Sequence, residues 1–214
     1  MKRVWIILWF IAVLSHNCER SPAVEEQTSR AVSSSNTGKL VCLGDGFTAG
    51  VGVKADEAYP AVLQALMAAN GHGIKVVNAG IKGETVQMAN ERVEWILQQR
   101  LSAMLFALGC QEIQSQSPPE QVQATWSSLL SKVRTAYPEI PIFITTPCRE
   151  AGIFTEPAYY ASLMEQFDIR FIPLRINTTE EWWLLDADYL NAKGHTVLAK
   201  QLLGAVEPVM TSIQ

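Results

Sequence analysis

Residues 39–46 read KLVCLGDG, a short apolar run that stops abruptly on Gly44-Asp45-Gly46. The same construction returns along the chain. Lys75 to Asn78 is closed by Ala79-Gly80, Ala103 to Leu108 by Gly109, and Ile142 to Thr145 is followed by Thr146-Pro147-Cys148. Phe171 to Leu174 is a fifth run of this kind. Each is too short for a buried helix and continuous rather than alternating, which predicts strands covered on both faces. Between them the apolar residues take helical spacing. Val62, Leu63, Leu66 and Met67 predict a helix over 59–69, and Val93, Ile96 and Leu97 one over 85–100. Pro118-Pro119 introduces a helix over about 120–137, a further helix is expected over 157–168, and Asn191 caps a last one reaching about Val209. Strands alternating with helices predict an α/β fold, a flavodoxin-like three-layer sandwich around a five-stranded parallel sheet. Such sheets bind ligands at the carboxyl ends of their strands. Here Gly44-Asp45-Gly46, Asn78-Ala79-Gly80, Gly109-Cys110-Gln111 and Thr145 to Cys148 gather at those ends.

The 214 residues suit one domain with an appendage. Hydrophobic residues make up 48%, enough for a core, and the net charge of −4 argues against a basic nucleic-acid footprint. Four cysteines are too few for a disulfide scaffold, and without a CxxC pair no metal or cofactor is implied. No internal repeat is visible.

The appendage is the N-terminus. Lys2 and Arg3 precede eleven apolar residues, Val4 to Leu14, and Ser15-His16-Asn17-Cys18 breaks the run. Charge, a short apolar stretch and a polar break describe a secretory signal over 1–18, too short for a comfortable transmembrane span. Cys18 stands where the lipidated cysteine of a bacterial lipoprotein would, although Ser15-His16-Asn17 departs from the usual lipobox. A lipoprotein, a plainly secreted protein and an uncleaved membrane anchor all fit. Residues 19–38, rich in Ser, Thr and Glu, read as a flexible tether, with the domain over 39–214. The expected location is the periplasm or cell envelope.

Four blocks in order carry a family resemblance. Leu43-Gly-Asp-Gly-Phe-Thr-Ala-Gly-Val-Gly-Val53 resembles the opening block of the SGNH, or GDSL, hydrolases, of the single-domain lysophospholipase and thioesterase type. Val77-Asn78-Ala79-Gly80 with Gly83-Glu84-Thr85 resembles the second block, Leu108-Gly109-Cys110-Gln111-Glu112 the third, and Asp186 to His195 the last. The resemblance implies ester hydrolysis by a serine, with a histidine base, an aspartate that orients it, and three oxyanion donors. Carried across, the nucleophile position is Gly46, the base position is Tyr189 and the acid is Asp186. The donors fall at Gly46, Gly80 and Gln111, the last in place of asparagine. Glycine has nothing to attack with, and a phenol with an ordinary pKa near 10 is a poor base. Thr48 is expected to be structural, His195 to pack in the core, and Ser115 and Ser117 to be solvated. The resemblance also sets Cys110 and Cys148 side by side, as a disulfide or as two thiols. Trp182-Trp183 either packs against the sheet edge or forms a lip beside the site. The expected function is a pseudoenzyme that binds an acyl ester, a carboxylate or an acetylated glycan. The alternatives are an active esterase with a rearranged site and a structural envelope protein.

Overall fold

A computed structural model describes residues 38–148, 158–175, 180–184 and 188–212. The proposed signal over 1–18 with Cys18, nearly all of the tether, and Asp186 lie outside the described residues. Five strands, β1 (Lys39–Gly44), β2 (Lys75–Gly80), β3 (Leu101–Ala107), β4 (Ile142–Thr145) and β5 (Arg170–Phe171), form one sheet in the order β2-β1-β3-β4-β5. Every pairing is parallel. The helices are α1 (Gly46–Ala49), α2 (Tyr59–Ala69), α3 (Val86–Ile96), α4 (Cys110–Gln114), α5 (Pro119–Ala136), α6 (Tyr159–Phe167) and α7 (Ala192–Ser212).

The continuous apolar strands are explained by a sheet sandwiched between two cores. On one side Leu40, Cys42, Ala103, Leu105 and Phe143 pack with Tyr59, Leu63 and Met67 of α2 and Leu198, Leu202 and Val206 of α7. On the other, Val41, Leu43, Met104, Phe106, Ile142 and Ile144 pack with Val93 of α3, Trp126 and Leu130 of α5 and Leu163 of α6. Successive side chains on a strand point to opposite faces, so both sets must be apolar when both faces are covered. The expected three-layer α/β sandwich is what forms.

Sequence and structure differ at the ends of elements. β5 is two residues, 170–171, rather than 171–174. Beyond it the Ile172 amide still donates to the Ile144 carbonyl, and the Ile172 carbonyl is taken by the Thr145 hydroxyl at 2.9 Å, where the ladder ends. α3 stops at Ile96 instead of Arg100. Helix α1 and helix α4, of four and five residues, are additions that place Gly46 and Gln111 in helical turns just past β1 and β3.

Candidate functional site

The carboxyl ends of β1, β2 and β3 meet at Gly44, Gly80 and Ala107, which are register partners. Asp45 turns the chain out of β1 and starts α1, its carboxylate accepting the Phe47 amide at 3.0 Å. Gly46 therefore opens a helical turn above the sheet. The ring of Tyr189 lies against it. A Cβ built on Gly46 would fall 2.6 Å from Tyr189 Cζ and 2.7 Å from its hydroxyl. Those separations lie well inside van der Waals contact, so the tyrosine ring fills the volume that a residue-46 side chain would need. Phe47 braces the ring edge-on, with centroids 5.5 Å apart, and meets Trp183 at 6.0 Å.

The segment carrying Tyr189 is pinned from both sides. Trp183 and Leu190 form an antiparallel bridge, the Leu184 amide donates to the Tyr189 carbonyl at 2.9 Å, and the Asn191 amide donates to the Trp182 carbonyl at 2.9 Å. The Asn191 side chain donates to the carbonyls of Glu181 and Trp183 and accepts the Gly194 amide at 3.0 Å, capping α7. Trp183 is 4% exposed, which favours the packing role for that indole over a lip role.

The proposed donors are unequally placed. The Gly80 amide donates to its own loop, to Asn78 Oδ1 at 3.0 Å. The asparagine two residues earlier thus closes a local turn on the amide that the resemblance implies as a donor. Gly80 must still be glycine-like. A Cβ would fall 2.6 Å from the Thr48 carbonyl carbon, so β2 and α1 approach backbone to backbone. The Gln111 side chain lies along α4, its Nε2 3.5 Å from Gln114 Oε1.

Just past the strand ends stand three acids, each inside one of the family blocks but given no role by the resemblance. Asp45 is 1% exposed, and burial pushes its carboxyl up to about 7, helped by the carboxylates of Glu112 and Glu84 and opposed by the Phe47 amide. Glu84 is fully buried and accepts both Nε and Nη2 of Arg92, whose Nη2 also donates to the Ala79 carbonyl at 2.6 Å. Glu112 accepts the Val86 amide at 2.7 Å; its other oxygen is buried without a partner among the described residues, and burial raises its pKa. The signal available in the sequence was the presence of charged residues within the glycine-rich blocks. Tyr189 is held above the ordinary phenol pKa by partial burial first, then by Asp45 and Asp188, so it is a protonated donor rather than a base.

Neither described histidine can serve a hydroxyl. His195 is fully buried, its Nδ1 accepts the Tyr59 amide at 3.2 Å, and burial lowers its pKa to about 4. That bond assigns the proton to Nε2, which has no partner among the described residues. His72 pairs with Glu207 at 3.0 Å, beside Asn70 and beyond the amino end of β2. Thr48 Oγ1 is taken by the Tyr59 hydroxyl at 3.0 Å, and Ser115 and Ser117 bond each other at 2.9 Å. Cys110 and Cys148 are joined in a disulfide that ties α4 to the end of β4. Four cavities among the described residues are lined by residues other than Gly46, Gly80 and Tyr189, and Glu112 lines one of them with Thr85 and Val86.

The model of the GDSL-like lipase/acylhydrolase family matches residues 42–197. The chain belongs to that family. Among curated relatives it is 26% identical over 178 residues to thioesterase 1/protease 1/lysophospholipase L1 of Escherichia coli strain K12, covering 80% of this chain and 84% of that one. It is 23% identical over 154 residues to an arylesterase of Vibrio mimicus, covering 69% and 77%. Among solved structures, a psychrotrophic esterase of a Pseudoalteromonas species superposes with TM-score 0.70 at 19% identity, covering 81% of this chain and 99% of that one. TesA superposes at 0.69 with 20% identity, covering 79% and 98%. At those identities the structural likeness speaks for the fold alone. The GDSL-like fold is thus kept while residue 46 of this member carries no hydroxyl and a tyrosine ring stands in its place.

Proposed function

We propose that this chain is an exported, envelope-anchored member of the GDSL-like family that does not hydrolyse esters by the serine route. In this reading it holds a neutral acyl ester or acetylated sugar without turnover. The observation that carries it is the Tyr189 ring at Gly46, where a nucleophile's side chain would stand. A hydroxyl nucleophile needs a base within hydrogen-bond reach, and neither His72 nor His195 is turned to one. The protonated Tyr189 hydroxyl is the donor offered to a carbonyl. Asp45, Glu84 and Glu112 make the surroundings acidic, which disfavours a free carboxylate ligand and favours a neutral one.

Export and anchoring are supported by Lys2-Arg3, the apolar run from Val4 to Leu14 and the placement of Cys18. The Cys110–Cys148 bond adds an independent argument, because disulfides persist in oxidising compartments and are rare in the cytosol. Metabolic labelling with a palmitate analogue is expected to mark the wild type and spare Cys18→Ala.

The catalytic part of the proposal is tested with a fluorophosphonate probe and short acyl esters. The wild type is expected to give no stoichiometric labelling and, at most, trace hydrolysis. Gly46→Ser combined with Gln111→Asn and Tyr189→His removes the filling ring and supplies nucleophile, donor and base together. That triple variant is expected to gain measurable acetyl-ester hydrolysis, and Gly46→Ser alone to gain far less. Stoichiometric labelling of any wild-type residue would overturn the proposal.

A further inference from the structure

Among the described residues of this domain, the strongly exposed large apolar side chains fall within residues 81–95. Ile81, Met88 and Trp95 stand out, at 44%, 43% and 70% exposure. Met88 and Trp95 lie two turns apart on the outward side of α3, whose opposite side buries Ala89, Val93 and Ile96. Leaving an indole in water forgoes the benefit of burying a large amphipathic ring, and tryptophan concentrates where one end of a ring can be apolar and the other wet.

The position of Trp95 narrows what could cover it. It sits in the last turn of α3, directly before the chain returns to the amino end of β3. At that end the Lys39 amide donates to the Arg100 carbonyl at 3.2 Å, the Lys39 ammonium donates to Gln99 Oε1 at 2.8 Å, and Lys39 is the register partner of Lys75. Trp95 is therefore at the end of the sheet where the polypeptide enters the domain, just after residues 1–37 with their apolar run at 4–14. Lys39, Lys75 and Arg100 gather there. Of the nearby carboxylates on α3, Glu94 pairs with Lys132 at 3.3 Å and Glu91 accepts Gln87 at 2.9 Å.

We infer that this end of the domain docks on the lipid surface to which the N-terminal segment ties it, with Trp95 in the headgroup region and Lys39, Lys75 and Arg100 against anionic phosphates. The inference rests on the anchoring reading above. Juxtamembrane cations are drawn to anionic lipid within a Debye length, and a tether holds the surface at high local concentration.

The test uses the full chain with vesicles of phosphatidylethanolamine and phosphatidylglycerol, either plain or with bromine on the acyl chains. Co-sedimentation reads the anchoring. Docking is read from the emission of wild type minus that of Trp95→Phe, which isolates this exposed indole and leaves the buried core untouched. The expected result is loss of most of this difference emission in brominated vesicles, with a weaker loss when phosphatidylglycerol is replaced by a zwitterionic lipid. Chain that co-sediments while its difference emission is equal in plain and brominated vesicles overturns the docking and leaves the anchoring standing. Docking falls in that case whether the indole emits as if in water or is blue-shifted against a second copy of the chain. Failure to co-sediment overturns both.

Discussion

A side chain at position 46 and the ring at position 189 compete for one volume, so their effects on stability must be coupled. Gly46→Ala places a methyl group within 2.6 Å of Tyr189 Cζ and forces the half-buried ring to move. Overpacking of this kind costs about 1–3 kcal/mol when neighbours cannot yield, and less where a ring can swing toward solvent. Tyr189→Ala gives up the edge contact with Phe47 but opens the space. The double variant is expected to be more stable than the sum of the single losses implies, by at least about 0.5 kcal/mol in a double-mutant cycle read by urea denaturation. Strict additivity would mean that the ring does not occupy the residue-46 space in solution. The same contact explains why serine alone should fail to restore catalysis, since the new hydroxyl would meet a phenol that stays protonated rather than a base.

Among the elements, α4 is the one whose place depends most on a covalent tie. It has five residues, begins at Gly109 in a left-handed conformation, and has no side-chain cap. A helix this short has little stability of its own. The Cys110–Cys148 bond closes a loop across a sequence separation of 38 and fastens α4 to the end of β4. Loop-closure entropy for that length corresponds to roughly 4 kcal/mol, with measured values commonly about 2–4. Cys110→Ala with Cys148→Ala, or reductant on the wild type, is expected to lower unfolding stability by about that much in urea titrations; an unchanged midpoint would show that the thiols are unbonded in solution. Such short helices also mark where sequence patterns stop being informative. The long helix over 59–69 and the strand over 142–145 were legible to the residue, because periodicity has room to declare itself and Pro60 marks the helix start. Four or five residues make little more than one turn, so α1 and α4 leave no period to read. The site was legible in part for a similar reason. The residue types at 46, 80, 111 and 189 follow from local blocks. That Tyr189 lies on Gly46, and that Asn78 takes the Gly80 amide, depends on packing and side-chain torsions that no block encodes.

At the scale of the whole molecule, two buried groups set opposite slopes of stability against pH. Asp45 has its folded pKa raised from 3.8 to about 7 by burial and by Glu112 and Glu84. It is destabilising once ionised, so its contribution is intact below pH 3.8 and is lost as pH rises through 7. His195 has its folded pKa lowered by burial from 6.5 to about 4. Its contribution is intact above pH 6.5 and is lost as pH falls through 4. At about 1.4 kcal/mol per pKa unit, the two are worth roughly 4 and 3 kcal/mol across nearly the same window. They offset each other, which predicts a shallow profile for the wild type between about pH 4 and 7. Asp45→Asn keeps an oxygen for the Phe47 amide but removes the titration. Near pH 4 the variant should match the wild type closely; by about pH 7.5 it should be the more stable of the two by up to about 4 kcal/mol, its own profile now rising with pH as His195 alone dictates. Urea midpoints of both proteins at about pH 4.5 and 7.5 decide the matter. A difference between variant and wild type that is the same at both pH values would mean that Asp45 is already ionised at the acidic end, and that the acids just past the strand ends are better solvated or better paired than their burial implies.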